Sequence, residues 1–118
     1  MSRDLVYAGD MLVAARKVRT FIERTSESDF LVNDLIQSAV LHQFTILGEV
    51  SKRLSEEFRA AHPGVEWVKI AGLRNRIVHE YDDVSLDKVW QSATSEIPQL
   101  IAALETIVPA EPDGEEDN

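Results

Sequence analysis

Trp67-Val68-Lys69-Ile70-Ala71-Gly72-Leu73-Arg74-Asn75-Arg76-Ile77-Val78-His79-Glu80-Tyr81 is the stretch that decides how the rest of the chain reads. Its apolar residues recur every three or four positions, the period of a half-buried helix and not the alternation of a strand. With Arg74 at 0° and about 100° per residue, Trp67, Ile70, Leu73, Ile77, Val78 and Tyr81 fall between about −100° and +40°, the arc that should face a core. Arg74 lies inside that arc. Lys69, Arg76 and Glu80 gather at about 200° to 240°, the solvated side. Asn75 and His79 share the flank at about 100° and 140°, with Gly72 near 160°. The spacing predicts one helix over 67–81.

Three further blocks with the same period flank it. The first runs from about Arg3 to Arg24, with Leu5, Leu12, Ala15, Val18 and Ile22 on one stripe and Arg16, Lys17 and Arg19 near its end. The second runs from about Asp29 to Ala61, with Ser26 or Ser28 available as its cap and Pro63-Gly64 to stop it. The fourth runs from about Leu86 to Ile107, with Ser85 as its expected N-cap and Pro98 inside it, which predicts a kink or break. Short connections favour antiparallel neighbours, so the expected fold is all-α, an up-and-down four-helix bundle. A single domain over 1–108 and a disordered tail over 109–118 are expected.

Composition narrows the chemistry. The 118 residues include no cysteine, which excludes disulfides, thiolate ligands and cysteine nucleophiles and points to a reducing, cytoplasmic setting. No apolar run approaches the roughly 20 residues that span a membrane, so a soluble protein without a membrane partner is expected. The formal charge is −9, but Glu111, Asp113, Glu115, Glu116 and Asp117 lie in the tail, and the remainder carries 16 acids against 12 bases. That balance does not exclude a nucleic acid. The tail reads as a solubilising end or as a partner contact. His42, His62 and His79 lack metal-ligand spacing, so neither a metal nor another cofactor is expected.

A guanidinium on an apolar stripe must find acceptors or an anion, because an unpaired buried charge costs several kcal/mol. Two readings stay open. Arg74 could pair with a core carboxylate such as Glu49, leaving His79 to cap or pack. Alternatively Arg74, Asn75 and His79 form a cluster that holds a phosphate and moves a proton, since Arg offers planar donors and His titrates near neutrality. Glu49 follows Gly48, a mid-helix glycine that suggests close packing. It could support that cluster, or bridge to Lys52 or Arg53 on its own helix. His42 reads as an interface or core histidine, and Trp67 and Trp90 as core anchors. One Arg and one His make a thin site, which a twofold dimer would double.

The 67–81 stretch resembles the signature segment of HepT-type HEPN proteins: Arg, a polar residue, His after four intervening positions, any residue, then Tyr. Arg74, Asn75, His79 and Tyr81 match it position by position. The segments Ile46 to Ser55, Val84 to Trp90 and Ile97 to Leu100 are similar to the same branch, and the likeness covers about residues 3–107. Glu66 stands where many relatives have proline, and Asp82-Asp83 where an aromatic and a glycine are expected. The resemblance implies a metal-independent endoribonuclease with a composite site at a homodimer cleft. There His79 acts on the ribose 2′-hydroxyl or the leaving oxygen, Arg74 holds the scissile phosphate and Asn75 orients one of them. It also implies the toxin role in a toxin–antitoxin pair, whose antitoxin is a minimal nucleotidyltransferase that attaches AMP to Tyr81. Two other classes remain: a non-catalytic adaptor subunit of such a nucleotidyltransferase, which has no need of both Arg74 and His79, and a structural helical dimer.

Overall fold

The computed structural model describes residues 2–79 and 83–109. α1 spans Arg3–Ile22 and starts where the hydroxyl of Ser2 accepts from the Leu5 amide at 3.2 Å. It buries Ala8, Met11, Leu12, Ala14, Ala15, Val18 and Ile22, which include four of the five stripe residues read from the sequence, while Leu5 is only half-buried. The second block is not one helix. It divides into α2 (Glu27–Phe30), α3 (Asp34–Ser51) and α4 (Glu56–Ala61). Each piece has its own side-chain cap: Ser26 accepts from the Asp29 amide, Asn33 from Ile36 and Ser55 from Phe58. An Asn or Ser at such a position offers the backbone a partner outside the helix, and the chain takes it.

The third block also breaks. α5 (Trp67–Ala71) ends at Gly72, α6 (Leu73–Ile77) follows, and the chain then leaves helical geometry. β1 (Val78–His79) pairs antiparallel with β2 (Asp83–Val84), His79 opposite Asp83, and the Ser85 amide donates to the Ile77 carbonyl at 3.1 Å. The predicted helix over 67–81 therefore stops at Ile77. Ser85 precedes α7 (Leu86–Gln91) as expected, yet its hydroxyl makes no cap bond; its amide serves the hairpin instead.

The fourth block bends as Pro98 predicts. Between α7 and α8 (Ile97–Ile107) lies a π-helical turn over Ser92–Glu96, closed by the Ile97 amide donating to the Ser92 carbonyl. Pro98 has no N–H for the Thr94 carbonyl, so the regular register cannot continue through it. There is a packing reason as well. Val89, Ala93, Ile97 and Ile101 are all buried at four-residue spacing. Each such step drifts by about 40° on a regular helix, and a wider turn takes up the drift.

These units close a ring. α1 packs on α3 on one side and on α8 and the π turn on the other; α3 meets α5, α6 and α7, and α6 meets α7. The result is the all-α four-helix bundle, with one short hairpin added. Phe30, Phe44, Met11, Leu47, Leu73, Ile77, Ile97 and Leu104 are the largest fully buried side chains of its single core. Both tryptophans anchor it. The Trp67 indole N–H is shared between the carbonyls of His62 (2.9 Å) and Arg59 (3.2 Å), and Trp90 lies 5.3 Å from the Phe30 ring. No described helix is long and apolar enough to cross a membrane.

Candidate active site

α6 is held to the bundle by Leu73 and Ile77, both buried, and turns Arg74, Asn75 and Arg76 outward. Arg74 is thus exposed, not buried on the core arc as the helical wheel predicts. A helix of one turn needs only Leu73 and Ile77 beneath it, so the guanidinium turns to solvent and keeps its hydration. Among the described residues Arg74 makes no ion pair. The ion pairs found there join Arg16 to Glu105 (2.8 Å), Lys69 to Glu66 (3.6 Å) and to Glu96 (3.8 Å), and Arg76 to Glu96 (3.0 Å).

Glu49 is exposed on α3 and is in none of those pairs, so neither a buried partnership with Arg74 nor a bridge to Lys52 or Arg53 is formed among the described residues. The close packing inferred from Gly48 is present. A Cβ on Gly48 would lie 3.1 Å from the Ala71 carbonyl oxygen, so α3 and the end of α5 are nearly in backbone contact just before the Gly72 joint. The sequence signal was the glycine, and Ala71 was the part it could not show.

His79 is carried by β1, two residues after α6 ends, and not on the helical flank beside Asn75. The motif therefore straddles a helix-to-strand junction, with Arg74 and Asn75 on one element and the backbone of His79 on the next. Tyr81, Glu80 and Asp82, and the side chain of His79, lie outside the described residues.

His42 is exposed, so it is not a core histidine, and it shares an outward stripe of α3 with Leu35, Ala39, Ile46 and Glu49. On a regular helix these five fall within about 80° of arc. Leu35 is 79% exposed, and Val32 and Val68 more so. His62 stacks on Phe58 at 4.6 Å, a packing role at the end of α4. Among the described residues no three His, Asp or Glu side chains converge on one point.

The residue missed by sequence reasoning is Glu96. It is half-buried and accepts from Arg76, a residue placed correctly on the polar side of the wheel with no sign of what it would meet. Only its location just before Ile97-Pro98, where the helix must depart from regular geometry, could have singled it out.

The family model described as "Ribonuclease HepT-like" matches residues 11–107. The chain is similar to the "Probable ribonuclease HepT" of Thermococcus cleftensis, 29% identical over 86% of this chain and 92% of the relative. Two relatives are each named "Putative RNase". That of Caldanaerobacter subterraneus subsp. tengcongensis is 33% identical over 76% of this chain and 80% of its own, and one of Methanocaldococcus jannaschii is 29% identical over 83% and 90%. No solved structure matches at the same stringency. With residues 11–107 matched by that model, the chain belongs to the ribonuclease HepT-like family.

Proposed function

We propose that the protein is a metal-independent endoribonuclease, the toxin of a toxin–antitoxin pair, and that it works as a homodimer. The observation that carries this reading is the exposure of Arg74 and Asn75 on α6, one residue-pair before the strand that bears His79, in a chain of this family. An arginine with no ion-pair partner among the described residues is available to a phosphate, which its planar donors suit.

In the dimer, two copies of His79 face one RNA strand. One takes the proton from the ribose 2′-hydroxyl as its oxygen attacks phosphorus; the other returns a proton to the departing 5′-oxygen. The P–O5′ bond breaks and a 2′,3′-cyclic phosphate is left. Arg74 holds the phosphate and stabilises the charge growing on it, and Asn75 orients the group beside it. DNA, without the 2′-hydroxyl, is not a substrate. Glu49 serves as a supporting group from α3. The exposed α3 stripe with Leu35 supports association with a second copy, since large apolar side chains left in water favour burial against a partner. Control comes from a minimal nucleotidyltransferase that adds AMP to Tyr81, placing phosphate charge where the RNA backbone must lie.

The test is cleavage of RNA by the purified protein in the presence of a chelator, followed by incubation with the nucleotidyltransferase and ATP. Activity with chelator, a dimeric mass by light scattering, and an AMP-sized mass gain absent from Tyr81→Phe are the expected results. Cleavage that requires a divalent metal removes the mechanism, and a mass gain retained by Tyr81→Phe removes that tyrosine as the sole acceptor.

A further inference from the structure

One carboxylate, that of Glu96, joins both halves of the broken third unit. It accepts from Arg76 on α6 at 3.0 Å and lies 3.8 Å from Lys69 on α5, so its two cations sit on either side of the Gly72 joint. α5 and α6 have five residues each. Helices that short do not hold their own conformation in water, so their direction is set by what they are attached to. Beneath α6 are Leu73 and Ile77; on its flank is the Arg76–Glu96 pair.

That flank bears on Arg74. Two residues along a helix turn the side chain by about 200°, so Arg74 leaves α6 on the side away from Arg76, and any roll of α6 moves both. Isolated surface ion pairs contribute little. Here the carboxylate is only 25% exposed and shared by two cations, and it stands on the last residue of the π turn. Single π turns inside longer helices recur at functional sites. In this one the extra width lets Ile97 and Leu100 stay in the core while Glu96 faces α5 and α6.

We infer that Glu96 is a positioning residue for Arg74: by clamping Arg76 and Lys69 it fixes the roll of α6 and hence the place at which Arg74 meets the scissile phosphate. This rests on the ribonuclease reading above. Misplacement of a phosphate-holding group lowers the rate of the chemical step more than it weakens binding of a substrate held by many contacts.

The experiment measures cleavage of a short oligoribonucleotide by wild type, Glu96→Gln, Arg76→Gln, the double variant, and Glu96→Gln combined with Arg74→Ala. Glu96→Gln lowers kcat about tenfold with KM within about twofold. Arg76→Gln reproduces most of that loss, and the double variant adds little to it, because both act through one contact. In the Arg74→Ala background Glu96→Gln has no further effect. A Glu96→Gln rate within twofold of wild type overturns the inference. So does an undiminished effect once Arg74 is gone, since that is the behaviour of general damage to the fold. Should the wild type cleave no RNA, the ribonuclease reading fails separately, and hydrogen exchange then decides the clamp. The Arg76 amide, which donates to the Gly72 carbonyl at 3.0 Å, exchanges faster in Glu96→Gln while amides of α1 and α3 keep their rates; unchanged exchange at α6 overturns the inference.

Discussion

α3 and the stretch from Trp67 to Val84 are the same length, 18 residues each, and are built on opposite plans. α3 is one continuous helix, capped by Asn33, with Val40, Phe44, Leu47 and Gly48 turned into the bundle. Among its described residues the other stretch divides into two one-turn helices and the two short paired strands, and the buried ones are Trp67, Ile70, Leu73 and Ile77. A long helix fixes its side chains through its own backbone bonds and needs only a cap and a face to bury. A string of single turns depends on its neighbours for direction. That dependence is also what lets it aim Arg74 and Asn75 outward from one small area.

Four substitutions test that contrast. The largest effect is expected from His79→Ala, which lowers RNA cleavage by about 10² to 10⁴-fold, the usual contribution of a proton-transferring group. Its melting temperature stays within a few degrees of wild type, because the change falls outside the α1–α3–α8 core. A large loss of stability in circular dichroism would show that the two regions are not separable. Phe44→Ala is the converse. Phe44 is fully buried, and truncating such a ring costs about 3 to 5 kcal/mol, to be read as a lower denaturation midpoint. A cost below about 1 kcal/mol would mean that α3 is not the scaffold described here.

Gly48→Ala strikes the contact between the two regions. The added methyl meets the Ala71 carbonyl at 3.1 Å, which offsets the gain in helix propensity and leaves a net loss of about 1 kcal/mol. Cleavage should fall further than that loss explains, because Ala71 adjoins the Gly72 joint. A variant more stable than wild type and fully active would show that α5 shifts freely. The smallest effect concerns pH. Asp4 accepts from the Ser55 amide at 2.9 Å and the Ser55 hydroxyl at 2.7 Å, which hold its carboxyl below the usual value and tie α1 to the start of α4. A depressed carboxyl stabilises above its unfolded pKa, and the contribution fades as pH falls through the lower folded value. Asp4→Asn should therefore be slightly less stable than wild type at neutral pH and converge with it in acid, which flattens the acid-side decline. A difference between the two proteins that is larger in acid, at about pH 3, than at pH 7 would contradict that assignment.

Much of this was legible in the residues. The stripe of α1 is a regular period with a serine in front of it, and both carry over into the structure. The division of the second block was not read: the period runs on as one helix through Asn33 and Ser55, and only the folded chain, with long-range contacts such as Asp4 with Ser55, shows that these residues act as caps. The site was readable as residue types and not as geometry. A helical wheel extended through His79 assumes one continuous helix, and the chain leaves that geometry at Ile77.

By itself the sequence determines the helical periods, the glycine at Gly48 and the ordered set Arg74, Asn75, His79 and Tyr81 on which the resemblance rests. These depend on residues near one another along the chain, where spacing and local hydrogen bonding decide the outcome. Only the tertiary structure decides that α5 and α6 separate at Gly72, that Arg74 is exposed, and that Glu96, 20 residues from Arg76, receives it at the end of a π turn. Each of these depends on how one helix lies against another, and a carboxylate on the last residue of a π turn has no direction until the core beneath it is packed.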